Sequence, residues 1–259
     1  MTESTLAEVI EEATQVLVKF SIPLYRKDRV GRPLQYGTGF FVRTQSATFL
    51  VSAAHILDYA KSHALFYYSE PGQLRNLSGQ LIRSTGEEDR AKDLIDVAVL
   101  RLSGGSIPPY PKVEKYAMDM SYLRPRYRPR TGKSYIFIGF PATKSTVDSA
   151  RREVTVTAYA FRNSSIDESE YRSHGLDPNS HVALRLDLRK GFGADGTKQH
   201  FPKPNGMSGS PIVVLFDEDG DDRSRVFPVV GVATTYRKAD RLVFGTDVAY
   251  VIDAIQNAA

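Results

Sequence analysis

The hydrophobic positions of this chain change period twice. Near the N-terminus Leu6, Val9, Ile10 and Ala13 recur three and four residues apart, the spacing that gathers side chains on one face of an α-helix. Thr5, with Glu8 three residues later, reads as a capping box. The pattern predicts a helix within residues 1–14. The chain then breaks into short apolar runs: "VLVKFSIPLY", "GTGFFVR", "TFLVSA", "VAVLRL", "SYIFIGF", "EVTVTAYAF", "HVALRLDL", "SPIVVLF", "FPVVGVATTY" and "RLVFGTDVA". Several alternate with period two. In "HVALRLDL", Val182, Leu184, Leu186 and Leu188 take one face, and Arg185 and Asp187 the other. Helical spacing returns at the end, where Val248, Val251, Ile252 and Ile255 form a stripe that Asp247 can cap.

Many short strands separated by turn-rich segments predict an antiparallel barrel or sandwich. The Pro/Arg-rich "RPRYRPR" at 124–130 falls near the middle, with strand signals on both sides. The expected organisation is a helix over 1–14, a β-rich half over 15–120, a connector over 121–130, and a second β-rich half over 131–259 that ends in a helix. No internal repeat or low-complexity tract stands out.

Composition narrows the chemistry. At 259 residues, 41% hydrophobic and 25% charged, the chain is ordinary globular material. Cysteine is absent, so disulfides, a cysteine nucleophile and thiolate metal sites are excluded, and a reducing compartment is favoured. The first fifteen residues lack the basic and apolar regions of a signal peptide. No run reaches the 18 or so apolar residues of a membrane span. A cytoplasmic protein is expected. The net charge of +4 is concentrated in Arg124, Arg126, Arg128 and Arg130. Basic residues around an aromatic can contact nucleic acid, but Pro125 and Pro129 favour a stiff solvated connector. The acidic run at 217–224 resembles the start of a calcium loop, yet its twelfth position is Pro228, where a bidentate Glu is required. It reads as a hairpin turn. His174, His181 and His200 lack a ligand spacing, so no metal and no cofactor is expected.

"GMSGSP", residues 206–211, offers two glycine-flanked serines, Ser208 and Ser210. A serine hydroxyl is a weak nucleophile. It needs a base, and the base needs a group to orient it. The five histidines are His55, His63, His174, His181 and His200. None follows the serines, which excludes the Ser–Asp–His order of α/β-hydrolases. The Asp–His–Ser order would have to use Asp28, the sole aspartate before His55, in a turn-like segment. The order His–Asp–Ser remains. His55 ends "FLVSAAH", where small residues follow an apolar strand. Asp96 opens "DVAVLRL", directly before a strand. Asp93 is a competing acid without that adjacent strand.

In these residues the chain resembles the trypsin-like (chymotrypsin-fold) serine peptidases, in the style of disulfide-free bacterial members. "SAAH" at 52–55, "DVAVLRL" at 96–102 and "GMSGSP" are similar to the family's histidine, aspartate and serine motifs. "GTGFFV" at 37–42, "IGFP" at 138–141 and "VVGVATTY" at 229–236 follow in family order. The resemblance covers about residues 35–250. It implies an all-β fold of two antiparallel six-stranded β-barrels with short terminal helices, and a cleft between them. It places the general base on His55, the orienting carboxylate on Asp96 and the nucleophile on Ser208. The oxyanion-hole donors fall on the N–H groups of Gly206 and Ser208, and Thr234, Thr235 and Tyr236 line a peptide substrate. It sets the pocket floor near Pro202, with Asp195, His200 and Lys203 in the surrounding loop.

Two positions depart from the pattern. Ser210 stands where the family has a second glycine. Met207 replaces the acidic residue that pairs with a cleavage-generated N-terminus, so the oxyanion hole is expected to form without such cleavage or under a partner's control. The leading expectation is a serine endopeptidase acting on proteins or peptides through an acyl-enzyme. The alternative is an inactive or partner-regulated fold that binds peptide segments. Nucleic-acid and membrane partners are not expected.

Overall fold

The computed structural model describes residues 3–70, 73–83, 93–110, 114–128, 132–148, 153–188, 191–193, 197–200, 202–215 and 227–258. Pro129, Arg130, the acidic run at 217–224 and Asp195 lie outside the described residues.

The first helix, α1 (Glu3–Phe20), is longer than the predicted 1–14 and encloses Thr5 rather than starting at it. The stripe through Val9, Ile10, Ala13 and Leu17 is buried along its whole length. "VLVKF" satisfies both periods, and burial against the β-sheets selects the helical one. The first half then runs β1 (Ser21–Lys27), β2 (Pro33–Arg43), β3 (Thr48–Ala53), α2 (Ala54–Leu57), α3 (Tyr59–Ser62), β4 (Phe66–Glu70), β5 (Gln73–Asn76), β6 (Gly79–Arg83), β7 (Val97–Leu102) and β8 (Met118–Asp119). The second half runs β9 (Ser134–Gly139), β10 (Ser145–Asp148), β11 (Glu153–Val156), β12 (Tyr159–Ser164), β13 (His181–Arg185), β14 (Gly191–Gly193), β15 (Lys198–Gln199), β16 (Pro211–Val214), β17 (Val229–Arg237), β18 (Leu242–Asp247) and α4 (Ala249–Gln256).

The strands form two curled sheets of eight, with β10 and β11 as a separate hairpin. Setting aside the short additions β5 and β8 in the first sheet and β14 and β15 in the second leaves six strands in each, eight minus two. Numbered one to six along the chain, the first sheet runs 4-1-2-3-6-5 and the second 3-6-5-4-1-2. These are the same ring cut open at different places. In the second ring the isolated antiparallel bridge Ser165↔Leu184 spans the cut. The chain thus contains the same barrel topology twice, the expected all-β double barrel.

One continuous core joins the barrels. Phe40, Val51 and Val99 of the first and Ile136, Ile138, Val213 and Val232 of the second belong to it, with Ile10 and Leu17 of α1 and Val251 and Ile255 of α4. Each such side chain contributes about 1.5–3 kcal/mol of burial, so the helices help fix one barrel against the other. In "HVALRLDL" Val182, Leu184 and Leu186 are buried in the second barrel and Arg185 is exposed, but His181 and Ala183 on the Arg185 face are buried as well, because Ala183 packs with Tyr171 and Phe244.

The connector is strapped to the second barrel. Leu123 bridges Val229, and the Arg124 N–H donates to the Val229 carbonyl at 2.9 Å. The Arg126 N–H donates to the buried Asp247 carboxylate at 3.0 and 3.1 Å, and that carboxylate also takes the Ala249 N–H at 2.9 Å at the start of α4. Arg128 pairs with Glu168 and donates to the Pro178 carbonyl. This segment serves the fold.

Candidate active site

His55 enters α2 immediately after β3, as the small residues Ala53 and Ala54 allow. Asp96 immediately precedes β7, the neighbour of β3. Sheet register therefore sets the two side by side. The Ala54 N–H donates to the Asp96 carbonyl at 2.9 Å, and the His55 N–H donates to Asp96 Oδ1 at 2.8 Å. His55 Nδ1 lies 2.5 Å from Asp96 Oδ2. The carboxylate thus grips the backbone and the ring of the same histidine, which holds the Nδ1–H tautomer. Nε2 has no hydrogen-bond partner among the described residues, so it can take a proton.

The loop before Asp96 is held from both barrels. Asp93 Oδ1 accepts the N–H groups of Ile95 and Asp96 at 2.9 and 3.2 Å, so this rival acid caps the turn that presents Asp96. From the second barrel, Thr246 Oγ1 donates to the Ile95 carbonyl at 2.5 Å, and His181 Nε2 lies 3.1 Å from the Leu94 carbonyl.

"PNGMSGS" folds as two successive turns. The Met207 N–H donates to the Pro204 carbonyl and the Ser210 N–H to the Met207 carbonyl, both at 3.0 Å. The third residue of each turn is a glycine at positive φ, Gly206 at +87° and Gly209 at +93°, the sign a type II turn demands there. A Cβ on Gly209 would overlap the Thr38 carbonyl and the Ser52 hydroxyl. That close approach seats the turn against β2 and β3: the Thr38 N–H donates to the Ser208 carbonyl at 2.9 Å, and Ser52 Oγ donates to the Thr38 carbonyl at 2.6 Å. Ser52 lies three residues before His55.

The serines part company here. Ser208 lines a pocket of the second barrel. Ser210 is fully buried and its hydroxyl has no hydrogen-bond partner among the described residues. The Ser208 hydroxyl donates to the Thr234 carbonyl at 3.0 Å; among the described residues no hydrogen bond links it to His55.

The N–H groups of Gly206 and Ser208 have no hydrogen-bond partner among the described residues. The Asn205 carbonyl accepts the Ala142 N–H at 2.8 Å. Because a trans peptide points its C=O and N–H in opposite directions, this contact turns the Gly206 N–H away from Ala142. Two unpaired N–H groups flanking Met207 can stabilise a developing oxyanion.

The pocket beside Ser208 is lined by Phe137, Pro204, Met207, Ala233, Thr234, Thr235, Tyr236 and Val243. Among the described residues no charged side chain lines it. Pro204, rather than the expected Pro202, forms part of its wall because the turn begins at Pro204. His200 and Lys203 are exposed and outside the lining. Met207 is buried with Tyr135, Phe137 and Ile212. Thr234 is buried and Thr235 exposed, on a bulged stretch of β17 where register with β18 shifts between Ala233 and Thr235. Thr38, Ser52, Phe137, His181 and Thr246 were not singled out from the sequence as site residues. "GTGFFV" and "SAAH" contain the first two, but only the cross-barrel contacts reveal what they do. Among the described residues no acidic or histidine cluster could hold a metal.

No protein-family model and no curated protein sequence matches the chain. A solved structure of the VesB protease of Vibrio cholerae is similar, with a TM-score of 0.52 and 16% identity over 92% of this chain. The similarity spans 63% of the length of that structure's chain. The fold is that of the trypsin-like proteases. No helix among the described residues is long and apolar enough to cross a membrane.

Proposed function

We propose that this chain is a serine endopeptidase that hydrolyses peptide bonds through an acyl-enzyme. Ser208 Oγ turns from the Thr234 carbonyl toward His55 and attacks the substrate carbonyl carbon, and its proton passes to His55 Nε2. Asp96 holds the ring and stabilises the imidazolium. The Gly206 and Ser208 N–H groups receive the oxyanion. Collapse of the adduct breaks the C–N bond, His55 protonates the leaving amine, and water repeats the sequence to release the acid. Thr234, Thr235 and Tyr236 offer strand-like backbone to the peptide, and the uncharged pocket takes an apolar side chain. Proteins or peptides are the substrates, no cofactor is needed, and a regulatory protein is a candidate partner. The cysteine-free composition supports a cytoplasmic setting.

The observation that carries this reading is the double grip of Asp96 on His55, beside a turn with two unpaired N–H groups. Buried Met207 supports a hole assembled by packing, without N-terminal cleavage. The test is labelling of the intact chain by a fluorophosphonate. Wild type reacts, whereas Ser208→Ala and His55→Ala do not; a folded wild type inert to the probe overturns the proposal.

One observation favours a second reading, a peptide-binding module that does not cleave: the Ser208 hydroxyl is bonded to Thr234 rather than to His55. Resting hydroxyls often align only when substrate binds, so the labelling experiment separates the two readings.

A further inference from the structure

The carbonyl of Gly206 belongs to the peptide between the two proposed oxyanion donors, and it is held from the other barrel. Thr38 Oγ1 donates to it at 2.9 Å, and Gln35 Nε2 approaches it at 3.4 Å while also donating to the Phe140 carbonyl. Thr38 Oγ1 in turn accepts the Phe140 N–H at 3.2 Å. Both side chains come from β2, three residues apart in the sequence, and reach the loop from the first barrel.

We infer that Gln35 and Thr38 are positioning residues that preassemble the oxyanion hole from the first barrel; the inference rests on the serine-peptidase reading. Ala142 fixes the peptide before Gly206, and Gln35 and Thr38 fix the peptide after it. With both planes set and Gly206 at positive φ, the Gly206 N–H has one direction left to point. The contacts do for this chain what Met207 cannot do by charge. Gln35 also leaves its buried Oε1 without a hydrogen-bond partner among the described residues, which costs stability because the group is desolvated and unpaired. An apolar residue would avoid that cost but would supply no donor to the two carbonyls. The arrangement sacrifices stability to hold a loop, as functional positions do.

A fluorophosphonate places its phosphoryl oxygen in the oxyanion hole, so its saturation kinetics read the hole directly. Thr38→Val and Gln35→Met are each expected to lower the maximal labelling rate by about 10-fold or more, with the half-saturating concentration unchanged. Thr38→Ser keeps the hydroxyl and restores the rate to within about twofold of wild type. Gln35→Met guards against folding failure, since it removes the donor together with the unpaired acceptor; circular dichroism checks that each variant is folded. Folded variants that label at the wild-type rate overturn the inference, as does a loss seen only in the half-saturating concentration. A folded wild type that fails to label overturns the underlying peptidase reading instead.

Discussion

Asp96 holds His55 at two points, the ring Nδ1 at 2.5 Å and the backbone N–H at 2.8 Å. One carboxylate sets both where the imidazole sits and which nitrogen carries the proton. Asp96→Asn separates these roles. Its amide oxygen can still take the backbone N–H, but its NH2 then faces Nδ1. That favours the tautomer with hydrogen on Nε2, which cannot accept a proton from Ser208. The expected result is a folded protein whose peptidase turnover falls by about 10⁴-fold, the size of the loss at this position in serine peptidases. Rate measurements beside a thermal melt check it.

Ser210 presents the opposite case, a polar group with nothing to do. Its hydroxyl is sealed against Gly139, where a Cβ would overlap it, and has no hydrogen-bond partner among the described residues. Ser210→Ala removes the hydroxyl and leaves the turn backbone unchanged. Stability is expected to rise by about 1 kcal/mol, which is about 2–4 °C in Tm for a chain of this size class. Fluorophosphonate labelling of Ser208 should persist. An unchanged or lowered Tm contradicts the account of Ser210.

The pairing of His55 with Asp96 and the exclusion of Ser210 differ in how far the sequence foretold them. The double barrel was legible because many short apolar runs are separated by turn-rich segments; the alternation of "HVALRLDL" was a weaker guide, since His181 and Ala183 on its polar face are buried too. The neighbourhood of His55 and Asp96 was legible in order and context, since His55 follows one apolar strand and Asp96 directly precedes another. The end of α1 was not, because "VLVKF" fits both a helix and a strand until the sheets it packs on are known. Nor were Gln35 and Thr38, whose partners lie more than 100 residues away. Local pattern reports what a residue does in its own strand. It carries no trace of a carbonyl arriving from the other barrel.

Lys115 gives a pH signature. Its ammonium donates to the Val18 carbonyl at 2.6 Å and lies over the rings of Tyr110 and Phe140. Burial pushes the amine down to about 8. In the unfolded chain it keeps its proton up to its ordinary value near 10.4. Between those values the unfolded state holds more protons, so stability rises with pH. Tyr25 and Tyr110 act the other way: burial raises both hydroxyls, so above about pH 10 the unfolded state sheds protons first and stability falls. Tm is therefore expected to climb from about pH 8 toward 10, and the climb to be absent in Lys115→Met. Melting curves across that range test it.

The pocket beside Ser208 makes a prediction about substrate. Phe137, Met207, Ala233 and Val243 give it apolar walls, and among the described residues no charged side chain lines it. A buried ammonium or carboxylate would find no partner there and would keep its desolvation cost. Peptides with an aliphatic or aromatic residue before the cleaved bond should therefore be preferred over those with Arg, Lys, Asp or Glu. Tyr236 stands at the wall, half-buried. Tyr236→Ala enlarges the space and should shift preference toward bulkier apolar residues. One methylene of fit in such a pocket is worth about 10–200-fold in kcat/KM, so the shift is measurable. Cleavage-site profiling of a peptide library with wild type and Tyr236→Ala tests both statements, with Ser208→Ala as the blank. Preferential cleavage after Arg or Lys by the wild type would show that a charge from outside the described lining reaches the pocket, and would overturn this account of specificity.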